Sequence, residues 1–556
     1  MSKPSSKFLM LSLLGLLPSL PLVFFGFTSS NIQYLDYWEI VESIMISGFS
    51  FSSLLVWQNE HFVGLPVLIY RANIWLTNGT QHGLLYWVML VMILQAILIA
   101  KLLIDQFEKK QPHPNKFLTM ALALLIGVFV FHPASLHYWI KSMSGTAWLT
   151  ANVFSLYAIF FAARGFEQEG LKGLCTFGLA AGAGILATLT YGSSLAVWPV
   201  LVCIFLCSRQ HMLVRGWLFV FGAGLLCVYG ILYHRPAKHD ALEFIPLVYV
   251  KYALQFFASP LNVDLTQSIY IGAIVALFVV YCGVNFCVRL YQQNISVERM
   301  WWLGVLLYGA QIVVLISLSR AEYGAKNPFA SRYFSIAALV WIGIVFEAAY
   351  RMPRLFRGWT IILILCWYCY LYTSHGYIIE NNLSADTRRR AGEQMILAQT
   401  PLKGGLISEA LTRNVQAFER QSASLHKIGH YPFGAISDEC PSWGTGLDYQ
   451  NYLKQAPQIE VTHARKKSKR LKLYRFKAPA EPQSGCFVLI NDRGRAAGFG
   501  TTHVIDDFKA KFLTHRSAEV EYYNYVFQRK KAEIVAACYA SKKQLIYCLP
   551  IKTTPS

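Results

Sequence analysis

Eleven apolar runs, each close to the thickness of a bilayer, recur along the first 375 residues, and no other feature limits the fold of this chain as strongly. They lie at about 8–27, 83–104, 117–132, 147–163, 174–189, 194–207, 217–233, 268–288, 301–319, 334–350 and 359–375. In hydrocarbon every backbone polar group must be satisfied within the segment, which leaves the α-helix as the form for such runs. Composition agrees, since 55% of the 556 residues are apolar and only 14% are charged, outside the soluble globular range. The expected fold is a polytopic α-helical membrane protein of about eleven spans over residues 1–375, with surface amphipathic helices in the first outer loop. A C-terminal soluble α+β domain is expected over 376–556.

Charge placement orients the ladder. With the N-terminus inside, the inner loops collect fifteen Lys and Arg, among them Lys101, Arg164, Arg299 and Arg351, while the longer outer segments hold eight. Lys3 and Lys7 precede the first run and no small-residue cleavage site follows it, so it is expected to remain as an anchor. An odd number of spans then puts the tail outside. The net charge of +20 is spread over short loops and the tail, which fits anionic lipid headgroups better than nucleic acid, and no nucleic-acid partner is expected.

Eight of the twelve cysteines fall in apolar runs, where a thiol serves as a small hydrophobe, and Cys366-x-x-Cys369 is read the same way. The other four, Cys440, Cys486, Cys538 and Cys548, lie in the tail, where an oxidising compartment would allow two disulfides. Cys538 and Cys548 flank a turn at Ser541-Lys542-Lys543, at cross-strand spacing.

The first outer segment, 28–82, carries Trp38, Val41, Ile44 and Met45, then Leu65, Leu68 and Ile69, at helical spacing. One or two helices lying along the membrane surface are expected there. In the tail, Leu406 to Phe418 repeats every three and four residues, which predicts a helix pair. Short alternating runs at 471–476, 486–490, 508–513, 533–539 and 544–549 predict a small antiparallel β domain. Gly498-Phe499-Gly500 is read as a turn and the basic run Arg465 to Arg470 as a solvated loop.

Chemistry-bearing residues gather in the outer segments. Asp36 and Glu39 stand one helical turn apart just past the first run, and a partly desolvated carboxylate there suits removal of a hydroxyl proton. Gln58-Asn59-Glu60-His61 adds a second acid and an imidazole within an apolar stretch. Arg320 and Arg332 flank a short outer segment ending Ser331-Arg332-Tyr333, and guanidinium groups so placed can grip a phosphate in bidentate fashion. Tyr191-Gly192-Ser193-Ser194 reads as an irregular outer bend, tolerated at membrane depth only where it is buried in protein or lines a cavity. No metal site is expected, because three carboxylates and one histidine are too few to define one.

Taken in order, Asp36-Tyr37-Trp38, Trp57-Gln58-Asn59-Glu60-His61-Phe62, Ser194 to Pro199 and Ser331-Arg332-Tyr333 resemble the motifs of bacterial integral-membrane glycosyltransferases of the GT-C superfamily. The resemblance covers about residues 8–375. It implies a transferase that moves a sugar from a polyprenyl-phosphate carrier to an extracytoplasmic glycan, lipid or protein acceptor, in the bacterial inner membrane with the tail in the periplasm. Asp36 takes the place of the catalytic acid, with Glu60 second. Glu39, Asn59, His61, Arg71, Arg320, Arg332 and Tyr333 fall to substrate binding. The chain departs from the motif at Gln58 and Phe62, where His and Arg are usual, and Arg71 is the nearest later cation. Transfer by inversion needs placed carboxylates and cations, so no cofactor is implied. A polymerase or ligase of lipid-linked glycans would use the same groups. A flippase or transporter would place ionisable groups near the midplane, whereas the one acid deep in a run, Glu347, lies toward its inner end.

Overall fold

The computed structural model describes residues 6–34, 36–47, 57–58, 61–106, 116–232, 245–261, 263–321, 324, 327–351, 360–397, 411, 418 and 424–432. It also describes the strands at 459–466, 471–479, 486–491, 496–502, 519–527, 534–541 and 544–552. The helices, in chain order, are α1 (Ser6–Leu16), α2 (Leu20–Thr28), α3 (Asp36–Ser47), α4 (Gly64–Thr77), α5 (Gln81–Ile104), α6 (Lys116–Val130), α7 (Leu136–Ile140), α8 (Ser142–Phe166) and α9 (Gly170–Thr188). There follow α10 (Val197–Leu206), α11 (Met212–Leu232), α12 (Pro246–Ala258), α13 (Leu265–Tyr291), α14 (Val297–Arg320), α15 (Phe334–Arg351), α16 (Thr360–Ser374) and α17 (Gly376–Leu397).

The protein is membrane-embedded by length and composition. Among the described residues seven helices are long and apolar enough to cross a bilayer, or nine if each of two bent pairs counts as one span. The bent pairs are α6 with Pro133–Ile140, turned by 41°, and α16 with Gly376–Leu383, turned by 54°. Two of the eleven apolar runs form shorter helices, Gly192–Leu206 and Arg215–Ile231. The physical reason for the first is visible in the backbone: residues Gly192–Ala196 make a 3₁₀ turn, so only ten residues remain for α10. Between the first two long apolar helices the chain forms α3 and α4, where helical spacing predicts helices, with Tyr37, Trp38, Ile40 and Val41 buried on α3 while Glu39 is exposed.

By packing, the chain divides into two units. The first comprises Met1–Phe24, Ser50–Leu68 and Leu85–Ile379, the second Phe25–Phe49, Ile69–Leu84 and Glu380–Ser556.

In the first unit, α8 packs on α9, α12 on α13 and α14 on α15. Between apolar helices in lipid the drive is close fit and satisfied polar tips. Trp302 stacks on Phe346 with ring centres 4.1 Å apart, while the indole N–H groups of Trp301 and Trp341 donate to the carbonyls of Leu156 and Phe257, each at 2.8 Å. Helix starts follow local chemistry: the Asp264 carboxylate accepts from the N–H groups of Thr266 and Gln267 at 2.8 and 2.9 Å, and Ser296 caps α14. Toward the ends of their helices, Asp105 meets Arg164 at 3.0 Å and Lys101 at 3.3 Å, and Glu347 is neutralised by Arg299 at 2.5 Å. Glu347, the acid deep in a run, is therefore half of a buried ion pair.

In the second unit, the seven C-terminal strands are β3 (Ile459–Lys466), β4 (Leu471–Pro479), β5 (Cys486–Asn491), β6 (Ala496–Thr502), β7 (Glu519–Phe527), β8 (Ile534–Ser541) and β9 (Gln544–Lys552); β1 and β2 are the short strands Trp57–Gln58 and His61–Phe62 of the first unit. They close a barrel in the order β3-β4-β7-β6-β5-β8-β9, with antiparallel neighbours except the parallel β3–β9 pair. Gly498-Phe499-Gly500, expected as a turn, lies inside β6, where Phe499 pairs with Val488 on one side and Tyr525 on the other. Two flanking strands supply the ladder that local glycine content argues against. Arg465 and Lys466 end β3 rather than sitting in a loop, and 467–470 lies outside the described residues. Cys538 and Cys548 are opposite each other in the β8–β9 register and are disulfide-bonded. Cys440, the strand expected at 508–513 and most of the helix pair expected from 406 fall outside the described residues, although Leu411 and Phe418 are buried.

Candidate functional site

In the first unit, five segments converge on an aromatic cluster with a cation at its edge. The β1–β2 hairpin pairs Gln58 with His61, and its tip, Asn59 and Glu60, lies outside the described residues. The His61 ring lies 3.9 Å from Tyr191, the Tyr191 ring 4.2 Å from Trp148, and Trp148 6.2 Å from Tyr333. Tyr333 is buried and also meets Phe256 from α12 at 5.4 Å. Arg332 is exposed, with its guanidinium 5.0 Å from the Tyr333 ring, a cation–π arrangement.

Local backbone explains the placement. Ser331–Tyr333 is a 3₁₀ turn leading into α15, and the Tyr138 hydroxyl donates to the Arg332 carbonyl, fixing that turn to α7. Ser335 stands 3.0 Å from Tyr138 and accepts from Asn152 at 3.5 Å, and Asn152 in turn accepts from the Tyr308 hydroxyl at 3.3 Å. This chain of buried polar groups ties α7, α8, α14 and α15 together beneath the cluster. Sequence reasoning missed it, because Tyr138, Asn152 and Tyr308 are isolated polar positions in apolar runs. Gly192 is the close-approach point: a Cβ there would collide with the Tyr229 hydroxyl and come within 3.0 Å of His61 Nδ1. Burial pushes the His61 imidazole down to about 3, which keeps the ring neutral at ordinary pH. Arg320 is half-buried in the last turn of α14, where a cation also complements the negative end of the helix.

In the second unit, Asp36 and Glu39 occupy the first turn of α3, favoured there by the positive end of the helix. Asp36 is half-buried, and its charge adds to burial in raising the Tyr70 hydroxyl above its ordinary value. Tyr37, fully buried beside Tyr70 at 5.6 Å between ring centres, donates to His430 Nε2 at 3.0 Å, while the other ring nitrogen of His430 donates to the Tyr431 carbonyl at 2.6 Å. Arg71 on α4 is half-buried, and desolvation lowers its pKa.

The loop leading into Asp36 is held by an ionic cluster that the sequence reading did not foresee. Arg389, fully buried, donates to the carbonyls of Ser30 and Ile32 at 3.0 and 2.7 Å and to Gln81 Oε1 at 2.6 Å. Asp386 accepts from the Ser30 N–H at 3.0 Å and pairs with Arg389 and Arg390 at 3.5 and 3.2 Å. Glu393 accepts from the Ser30 hydroxyl at 2.7 Å and from the Tyr431 hydroxyl, and burial raises its pKa. Asp386, Arg389, Arg390 and Glu393 recur at three and four residue steps, a polar stripe on α17 that periodicity could have exposed.

His61, Arg320, Arg332 and Tyr333 thus belong to the first unit, and Asp36, Glu39 and Arg71 to the second. Among the described residues no group of three or more His, Cys, Asp or Glu is placed to hold a metal ion. No family model, curated protein or solved structure matches this chain.

Proposed function

We propose that the protein is an inverting membrane glycosyltransferase that moves a sugar from a polyprenyl-phosphate donor to an extracytoplasmic acceptor. The observation that carries this reading is the cluster of Trp148, Tyr191 and Tyr333 with exposed Arg332 at the ends of membrane helices. Aromatic faces pack against the apolar face of a sugar ring, and a guanidinium at a span end offers a bidentate grip on a phosphate at headgroup level. Neutral His61 supplies a hydrogen bond to a hydroxyl. In this reading a carboxylate of the first outer loop takes the acceptor's hydroxyl proton, the part that the motif resemblance gives to Asp36 with Glu60 second. The acceptor oxygen bonds to the anomeric carbon as the carbon–oxygen bond to phosphate breaks, and Arg332 or Arg320 stabilises the charge that gathers on the departing phosphate. Transport is less well supported, because Glu347 is paired with Arg299.

The test is transfer of radiolabelled sugar from polyprenyl-phosphate donors by purified protein. Asp36→Asn, Glu60→Gln and Arg332→Ala are compared with the parent after each is shown to fold. Loss of turnover by two orders of magnitude or more in Asp36→Asn, with a weakened donor interaction in Arg332→Ala, is expected. Undiminished turnover in both acid variants refutes the assignment.

A further inference from the structure

At one corner of the first unit the ends of four helices meet. The α10–α11 loop reaches the start of α9 through Gln210, whose side-chain amide donates to the Gln168 carbonyl at 2.7 Å, and the end of α13 through Arg209, whose Nε donates to Gln293 Oε1 at 3.3 Å. Arg215, in the first turn of α11, donates through Nη1 to the Leu206 carbonyl that ends α10, at 3.1 Å. Arg289, in the last turn of α13, donates through Nε to Asn285 Oδ1 at 2.8 Å, and its carbonyl accepts from the Asn294 N–H at 3.0 Å, which folds Gln293 back beside it.

These three guanidinium groups are met only by neutral acceptors. Among the described residues no carboxylate pairs with Arg209, Arg215 or Arg289, although Glu167, Glu169 and Glu298 stand at adjoining helix ends. Elsewhere in the unit, cations at helix ends are neutralised, Arg164 and Lys101 by Asp105 and Arg299 by Glu347. In Arg209 and Arg289 the internal bond uses Nε, so the paired Nη groups, the side of the fork that grips a phosphate, carry no internal bond. Arg209 is exposed, and Arg215 and Arg289 are half-buried. The surface beside them is apolar and exposed: Met212 and Phe219 share the Arg215 face of α11 at three- and four-residue steps, with Leu206 on α10 and Val288 on α13.

We infer that this corner binds an anionic phospholipid, with its phosphodiester on the guanidinium groups and its acyl chains along the exposed apolar faces of α10, α11 and α13. A single arginine at a span end reaches bulk headgroups of any kind. Three at one corner, none of them neutralised by the protein, select a lipid of net negative charge, because the ammonium of a zwitterionic headgroup is repelled where its phosphate is held. The exposed apolar side chains beside the cations favour a lipid over a free phosphate, since they give its chains a surface. The site does not depend on the glycosyltransferase reading.

The test is native mass spectrometry of the full chain in detergent, titrated with phosphatidylglycerol and with phosphatidylcholine of the same chains. Phosphatidylglycerol is expected to bind about tenfold more tightly. In Arg209→Gln with Arg289→Gln that preference should fall to about threefold or less, whereas Lys116→Gln with Lys251→Gln, which removes the same charge from exposed positions elsewhere, should keep it. A phosphatidylglycerol with a photoreactive chain should label the peptides holding Phe219 and Val288 above those of other exposed helices. Equal affinity for the two lipids, the same preference in both double variants, labelling in proportion to exposed apolar area, or displacement by glycerol phosphate as effective as by the lipid overturns the inference. Affinity and labelling in the parent decide it even if a variant fails to fold.

Discussion

Replacing Arg389 by Met should remove about 3–5 kcal/mol of stability, the cost of breaking a buried charge cluster by deleting one member. The magnitude follows from what the guanidinium holds. Its Nη2, with two hydrogens, has three acceptors within 2.6–3.0 Å, the Ser30 and Ile32 carbonyls and Gln81 Oε1, so one hydrogen is shared, and its Nη1 lies 3.5 Å from Asp386. Charge-assisted bonds of this type contribute about 1.5–3 kcal/mol each, and the contributions to the three acceptors do not add fully because two hydrogens serve them. Met restores most of the buried volume, so cavity cost is small; the loss comes from two carbonyls and an amide oxygen stranded without water. Asp386 keeps Arg390 and the Ser30 N–H, which caps the loss. Arg389→Lys retains the charge but not the fork, so it should fall between parent and Met. Denaturant titration of the purified protein in detergent measures the difference. A change below about 1 kcal/mol for Arg389→Met would show that the cluster is incidental to folding and that the loop before Asp36 is held by other contacts.

The remaining expectations are narrower. Gly192→Val should drive the 3₁₀ turn into Tyr229 and His61 and cost about 1–3 kcal/mol, and an unchanged melting temperature would show that the turn has room. Burial holds His430 down to about 4 from 6.5, so the folded state refuses a proton that the unfolded chain accepts. The stability this provides is complete above pH 6.5 and is lost as pH falls toward 4, by up to about 3 kcal/mol, and His430→Gln should flatten that slope relative to the parent. Glu347→Gln, which leaves Arg299 buried without its charge partner, should cost about 3–5 kcal/mol, whereas Glu347→Met with Arg299→Met should recover most of it; equal losses in single and double variants would refute the pairing.

The sequence by itself determined the membrane character and the positions of the helices, because desolvating a backbone in hydrocarbon leaves one solution and the apolar runs record it. Each of the eleven runs became a helix or a bent helix pair, and α3 and α4 arose where Trp38, Val41, Leu65 and Ile69 marked helical faces. The motif residues His61, Arg332 and Tyr333 were also legible, since charge and aromaticity at span ends stand out against lipid. Tertiary structure decided what those residues touch. His61 reaches Tyr191, Arg332 is held through Tyr138, and Glu347 finds Arg299 across 48 positions. It likewise paired β6 with β5 and β7, against the local reading of its glycines, and shortened the span at Gly192 to a turn. Most of all, it chose the partners of Arg389 and the meeting of His132 with His375, more than 240 positions apart in the chain, for hydrogen bonds and ring contacts depend on distance in space and leave no periodic mark in a single sequence.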